Sequence, residues 1–375
     1  MSLSEKEINR YNRQIQLREI GIEGQERLKK ARVLVTGAGG LGCPALQYLA
    51  AAGVGTLGIV DFDTVEESNL QRQILFNSQL VGVNKAIAAK EQLEKLNPFI
   101  ELIAYPKKLD HQNAVALFME YDLIVDGTDN FATRYLVNDA SLLANKPYVY
   151  GAIYRFEGQV TVFNYKNGPT YRCLFPNPPK SQSIPNCNEM GVLGVLPGII
   201  GAYQANEALK IILDIGEPLS GKLMLINTKN NSTSMIHVSR LDEQVKKVQS
   251  SNSLIDAYGS ICETKQSTQE LKELTVEELK SMLSNDMKIE FVDVRELHET
   301  PRIEELQGLA IPSNEIANRF QEISTNHTVV MYCQTGIRSK NSVLFLQKKY
   351  GFNNLWNLQG GMNNWQQNQS IKINQ

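Results

Sequence analysis

The sequence predicts an α/β protein, a doubly wound parallel sheet followed by a second, smaller α/β domain, on three observations. Short β-branched runs alternate with Ala/Leu-rich helical runs over the first 165 residues. A glycine loop, Gly37-Ala38-Gly39-Gly40-Leu41-Gly42, stands where the first such run must turn into a helix. The alternation stops in a polar stretch near 241–270, and a new strand–helix series follows. Strands separated by helices need crossover connections, which give parallel sheets covered on both faces.

The elements follow in order. The N-terminal MSLSEKEINRYNRQIQLREI is charged, helical in pattern, and lacks the apolar core of a signal peptide. ARVLVTG reads as the first strand and PALQYLAAAG as its helix; TLGIVDFD is a second strand ending in acids. VNKAIAAKEQLEKLNP reads as a helix closed by Asn97 and Pro98, and FIELIAY, YDLIVDGTD and KPYVYGAIY as further strands. The stretch 241–270 has weak helical periodicity and reads as interdomain, giving a first domain over 1–245, a linker over 246–270 and a second domain over 271–375. In the second, Thr275 three residues before Glu278 is a capping-box signature opening LTVEELKSML. The strand KIEFVDV, the strand TVVMYC, the helix IRSKNSVLFLQKKYG and the closing NLWNLQGGMNNW complete it.

Composition narrows the function. With 375 residues, 42% hydrophobic and 21% charged, the chain holds two to three domain-lengths of ordinary globular material. A net charge of −2 argues against a nucleic-acid-coating protein. The most apolar stretch, GVLGVLPGIIGAY, is short and broken by Gly and Pro, so no membrane span is expected. Five widely spaced Cys make no disulfide framework, which points to reducing cytoplasm, and four His without ligand spacing argue against a His-rich metal site.

Glycines at a strand–helix turn let backbone N–H groups approach phosphate oxygens at the helix N-terminus. Asp61 ends the second strand 19 residues after Gly42, where a carboxylate can accept both ribose hydroxyls. The loop alone suggests NAD, but cations lie near it: FDTVEESNLQRQ brings Asp63, Asn69 and Arg72, VNKAIAAK brings Lys85 at a helix start, and VDGTDN brings Asp129 and Asn130. Strand ends converge at the switch point of such a sheet, and two cations with a carboxylate able to hold Mg²⁺ suit a triphosphate whose pyrophosphate must leave.

RYNRQ, GAGGLG, DFDTVEESNLQRQ, VGVNKA and DGTDN, in this order, resemble the ubiquitin-activating superfamily over about residues 5–240, nearest to the bacterial adenylyltransferases of molybdopterin synthase and of the thiazole (thiamine) sulfur carrier. The resemblance implies a Rossmann-like fold of ubiquitin-activating type that binds ATP and Mg²⁺ and adenylylates the C-terminal Gly-Gly carboxylate of a ubiquitin-like sulfur carrier. It implies that the Gly37, Gly39, Gly40, Leu41 and Gly42 loop holds the nucleotide with Asp63 and Asn130, and that Asp61 holds the ribose. Asn69, Arg72 and Lys85 would contact the phosphates and Asp129 the metal or α-phosphate. It further implies a homodimer, with Arg13 reaching into the partner's site. The chemistry agrees: a carboxylate nucleophile is already ionised at pH 7, so the site needs cations rather than a general base.

Cys187 lies in PPKSQSIPNCNEMG, ahead of a Gly-rich apolar helix, where it is either a reactive thiol near the activated carbonyl or a small packed residue. Relatives often hold structural zinc with two CxxC pairs. Here the first pair reads Thr170-Tyr-Arg-Cys173 and the second region, LDEQVKKV, has no Cys, so zinc is not expected. Cys173 and Cys43 then read as structural.

Cys333-Gln-Thr-Gly336-Ile-Arg338-Ser339 follows a strand and opens a helix, a turn that points N–H donors at sulfur and lowers a thiol pKa, with Arg338 closing the cradle. With FVDVRE (Asp293, Arg295, Glu296) before it and LQGGMNNW after it, this resembles the rhodanese family over about 271–368. Four residues between Cys333 and Arg338 make a loop sized for sulfur; a related phosphatase class has one more.

Together the halves imply carrier adenylylation followed by transfer of a Cys333 persulfide, directly or through Cys187, to give a thiocarboxylate. A cysteine desulfurase or thiosulfate would supply the sulfur. Two other readings stand beside it: an NAD-dependent dehydrogenase with a regulatory rhodanese module, and a non-catalytic scaffold for a ubiquitin-like partner.

Overall fold

The computed structural model describes residues 2–178, 191–251, 254, 271–284 and 288–370, and the chain divides into two compact units, Met1–Thr264 and Lys265–Gln375. In the first, eight strands form one sheet. These are β1 (Arg32–Thr36), β2 (Thr56–Val60), β3 (Glu101–Tyr105), β4 (Leu123–Asp126), β5 (Tyr148–Tyr154), β6 (Glu157–Phe163), β7 (Lys222–Asn227) and β8 (Ser232–His237). Their order is β3-β2-β1-β4-β5-β6-β7-β8. The first five are mutually parallel, with Val33 opposite Leu57 on one side and Leu123 on the other. Every residue of β2 and β4 is buried, because helices cover both faces of a crossover sheet. The remaining three strands run antiparallel, an extension absent from the sequence reading. All six residues of β8, at the sheet edge, are exposed, so that strand carries no apolar alternation to announce it.

Helices α1 (Glu5–Ile15) and α2 (Gly21–Lys30) precede β1. Ser4 and Glu7 form the reciprocal cap that starts α1. α3 (Gly42–Ala52) follows the glycine loop and ends at Gly53, whose φ of +82° relaxes the last turn. α4 (Lys85–Leu96) is capped by Asn84, whose Oδ1 accepts from the N–H groups of Ala86 and Ile87, and closes at Asn97. α5 (Ala114–Met119), α6 (Phe131–Leu143), α7 (Tyr171–Leu174), α8 (Val195–Leu213) and α9 (Asp242–Gln249) complete this unit. α8 is apolar enough to lie against the sheet, where buried Gln204 donates through Nε2 to the carbonyls of Asp126 (2.6 Å) and Val149 (3.3 Å).

α9 corrects the sequence reading. Polar 242–249 is helix rather than the start of a linker, because Val245 and Val248, one turn apart, bury themselves against Leu142 of α6. Among the described residues no helix is long and apolar enough to cross a membrane.

The second unit is a parallel five-stranded sheet, order β11-β10-β12-β13-β9. Its strands are β9 (Glu273–Leu274), β10 (Ile289–Asp293), β11 (Leu309–Ala310), β12 (Thr328–Tyr332) and β13 (Leu355–Leu358). The capping box forms as the sequence indicates: Glu278 Oε2 accepts from Thr275 N–H (2.8 Å) and Thr275 Oγ1 accepts from Glu278 N–H (3.2 Å), starting helix Val276–Ser284.

Candidate active sites: a nucleotide loop and a thiol loop

β1 runs out at Thr36 and the chain turns at Gly37, whose φ of +89° is open to glycine and costly for other residues. A side chain on Gly42 would overlap the Gly37 carbonyl oxygen. At Gly39 a Cβ would meet only the Nε2 of Gln73, 3.9 Å away, so one face of the loop is open to a ligand. Leu41 is buried beneath it. Asp61, just past β2, accepts from Ala38 N–H through Oδ2 (2.8 Å) and from Asp63 N–H through Oδ1 (2.9 Å). Burial pushes its carboxyl up, and those N–H groups and Lys85 oppose the rise. Each oxygen keeps a second lone pair for a hydroxyl donor.

The cations gather at the same end of α3. Arg72 packs beside Gly40 and donates through Nη1 to the Ser68 carbonyl (3.0 Å). Lys85 is buried in the first turn of α4 with its Nζ 3.3 Å from Asp63 Oδ2. Asn84 Nδ2 donates to the carbonyls of Asp61 and Asp63, both at 3.1 Å, pinning the acidic turn against α4. Asn69 is buried in the 3₁₀ turn Glu67–Asn69. Across the loop, Gly127 presses so close to Gly37, Thr36 and Gly42 that a Cβ there would crowd their backbone atoms. The turn after β4 therefore stands beside the glycine loop. Within it Asp129 is exposed, and the Asn130 side chain accepts from Thr133 N–H (2.9 Å) to cap α6.

Arg13 lies elsewhere. Its neighbours Tyr11 and Gln14 contact the C-terminal end of α3, Gln14 Nε2 donating to Ala52 O (2.8 Å), with Tyr11 packed at Gly53. The glycine loop is at the other end of α3, roughly 16 Å away at 1.5 Å per residue. Cys187 falls outside the described residues. Cys173 Sγ accepts from the N–H groups of Leu241 (3.2 Å) and Thr170 (3.3 Å), tying α7 to the start of α9. Cys43 is fully buried with its thiol 3.3 Å from Ala38 O, and burial pushes its pKa up to about 12.

Two neighbours of this site escaped the sequence reading. Gln73 is buried against the loop with an Oε1 that has no protein partner. Asp126, the last residue of β4, accepts from Thr128 N–H (3.0 Å) and Thr128 Oγ1 (2.7 Å) through Oδ1, while its buried Oδ2 has no partner. Its position at a strand end in VDGTDN was visible; its burial was not.

In the second unit Cys333 follows β12 and is wholly buried. Gly336, φ +83°, precedes the helix Ile337–Tyr350 and packs against the backbone of Leu358 and Gly360. The LQGGM segment backs the loop, Met362 N–H donating to Cys333 O (2.9 Å) and Asn363 N–H to Gln334 O (3.1 Å). Ser339 Oγ lies 3.6 Å from Cys333 Sγ and 2.7 Å from Asn357 Oδ1.

Arg338, in the first turn of the helix that follows Cys333, is already engaged by another side chain. Its two terminal nitrogens donate to both oxygens of Glu299, at 2.6 and 2.8 Å, and that contact lowers the Glu299 carboxyl to about 2. Glu299 is the residue that the sequence reading missed here. Its loop is fixed from below: Asp293 Oδ2 accepts from Arg295 Nη2 (2.8 Å) and Arg302 Nη1 (3.3 Å), and wholly buried Arg295 donates on to Pro301 O (3.1 Å).

Comparison with known proteins agrees with both halves. The ThiF family matches residues 11–248 and the Rhodanese-like domain residues 275–368. "Probable adenylyltransferase/sulfurtransferase MoeZ" of Mycobacterium tuberculosis is 42% identical over 372 residues, 97% of this chain and 94% of that one. "Adenylyltransferase and sulfurtransferase MOCS3" of Culex quinquefasciatus is 39% identical over 98% of this chain and 89% of its own. "Sulfur carrier protein adenylyltransferase" of Thermus thermophilus is 51% identical over 64% of this chain and 90% of its own. Among solved structures, E. coli MccB with ATP superposes with a TM-score of 0.54 at 25% identity, covering 64% of this chain and 73% of that one. The chain belongs to the ThiF family of E1-like adenylyltransferases and carries a C-terminal rhodanese domain.

Proposed function

We propose that this enzyme uses ATP and Mg²⁺ to adenylylate the C-terminal Gly-Gly carboxylate of a ubiquitin-like sulfur carrier, and then passes a Cys333 persulfide to it to give a thiocarboxylate. The observation that carries the first step is the gathering of Asp61, Arg72, Lys85 and the Asp129 turn around a glycine loop with an open face. Two anions, the carrier carboxylate and the α-phosphate, must be brought together, and Arg72 and Lys85 supply the positive charge that offsets their repulsion. Asp61 holds the ribose, and Asn69 steadies the phosphates. Asp129, the exposed carboxylate beside the loop, would hold Mg²⁺, which neutralises part of the triphosphate charge. The relatives' names support adenylyl and sulfur transfer, and one names a sulfur carrier protein as substrate.

Arg13, a helix length from its own loop, is read as serving the site of a second copy, which makes the working unit a homodimer. The first unit, α9 included, performs the activation and residues 271–375 the sulfur transfer, with a cysteine desulfurase or thiosulfate as donor, in the cytoplasm. Zinc has no part in this reading, since Thr170 and Cys173 offer one thiolate where a four-coordinate structural site needs four ligands. The ThiF match stands against the dehydrogenase alternative.

ATP–pyrophosphate exchange against a panel of Gly-Gly-ended carriers, the molybdopterin and thiamine carriers included, tests the proposal, followed by mass spectrometry for the gain of one sulfur. Exchange with one carrier and its thiocarboxylation are expected. Tight carrier binding with no AMP formed would replace this reading with the scaffold.

A further inference from the structure

Four cations, on the loop after β10 and in the first turn of the helix Ile337–Tyr350, are each held by a carboxylate. Arg338 is bound through both nitrogens by Glu299. Arg295 and Arg302 share Asp293 at 2.8 and 3.3 Å. Lys340, two residues further along the same helix, lies 3.4 Å from Glu273. Three carboxylates thus engage four cations, Asp293 serving two of them, and Arg338, the arginine that closes the thiol loop, is already occupied by Glu299. A donor carrying two negative charges would enter against Glu299 and would have to displace it from Arg338.

We propose that Glu299 is the donor-selecting residue of the sulfur site: by holding Arg338 as a neutral pair it disfavours dianionic donors and leaves Cys333 to donors of lower charge, such as an organic or protein persulfide. The inference rests on the reading of Cys333 as the sulfur-carrying thiol and names the class of donor it takes. In the loading step the Cys333 thiolate attacks the outer sulfur of the donor and a new S–S bond forms on Cys333. The bond from that sulfur to the donor breaks, and its electron pair leaves with the donor: as sulfite from thiosulfate, or as methanesulfinate from methanethiosulfonate. Cyanide then takes the outer sulfur as thiocyanate and restores the thiolate.

Those two small donors transfer the same sulfur but differ by one charge, so their ratio reads the electrostatics of the site. In the full-length chain, Glu299→Gln should raise kcat/KM for thiosulfate relative to methanethiosulfonate by about tenfold, the change lying in KM, because one unopposed charge near the mouth is worth roughly that factor. Glu299→Asp, which keeps the carboxylate, should stay close to wild type. A ratio unchanged in Glu299→Gln, or Glu299→Asp behaving like Glu299→Gln, overturns the role of Glu299. A measurement on the unmodified chain stands beside the variants. Raising salt from about 0.05 to 0.5 M should change thiosulfate turnover less than about twofold, whereas an unpaired cation would give a steep fall and overturn the proposal. Thiocyanate formation that survives Cys333→Ala would overturn the sulfur-transfer reading itself, an outcome distinct from an unchanged donor ratio in a chain that loads Cys333.

Discussion

The glycine loop after β1 and the thiol loop after β12 are the same device used in opposite ways. Each lies at the carboxyl end of a parallel strand and opens a helix, and each is pressed against a second backbone segment: Gly127 behind the first, Gly360 and Gly361 behind the second. The first has no reactive atom of its own. Its Gly39 face is open, and its charged groups stand around a space that a ligand must fill. The second is built on its own nucleophile, sealed from solvent, with its arginine already engaged. The two units thus share one strand–loop–helix frame, and the side chains around it decide whether the turn receives a reagent or carries one.

The sharpest way to break this comparison is to remove the nucleophile. Cys333→Ala should abolish sulfur gain by the carrier, a loss above about 10³-fold, while ATP–pyrophosphate exchange stays within about twofold, since only the second loop depends on its own atom. Mass spectrometry and exchange on one preparation read both. The converse is Lys85→Ala, which should lower exchange by roughly 10²–10³-fold, the usual loss for one stabilising group, and leave cyanide-dependent turnover of Cys333 intact. Exchange that survives would move the charge-stabilising role elsewhere.

A third test touches backbone alone. Gly42→Ala places a methyl against the Gly37 carbonyl oxygen. It should cost about 1–3 kcal/mol, the range for overpacking, seen as a lower urea midpoint for the first unit and weaker ATP binding. The smallest effect is a pH profile. Glu299 is held at about 2 against an ordinary 4.5, so the stability that its ion pair contributes is present above about 4.5 and is lost only as pH falls toward 2. Between pH 7 and 5 the donor ratio should therefore not move; a rise in relative thiosulfate use on mild acidification would show that the pair opens more easily than its geometry indicates.

The parts of these sites that were legible in the sequence are those whose partners lie close along the chain or in a fixed strand–turn–helix frame. Gly37 to Gly42, Asp61, Lys85 at its helix start, and Cys333 to Arg338 are of this kind. Glu299 is not: its meaning comes from Arg338, 39 residues later, and from the way Asp293 fixes the loop between. Asp126 and Gln73 became visible only as buried polar atoms lacking partners. The polar helix at 242–249 hides for a related reason, as two valines seated on α6 are too few to give a periodic signal. Asn130, read from the sequence as a nucleotide contact, is occupied as a helix cap through its Oδ1.

Cys43 stands in the first helical turn beyond the nucleotide loop, in a protein whose other half is read as handling labile sulfur. Thiol exchange runs through the thiolate, and at a pKa of about 12 the thiolate share at neutral pH is about one part in 10⁵. Cys43 itself is therefore a poor acceptor for labile sulfur. By burying this thiol in its protonated form, the fold keeps a residue next to the glycine loop out of thiol exchange.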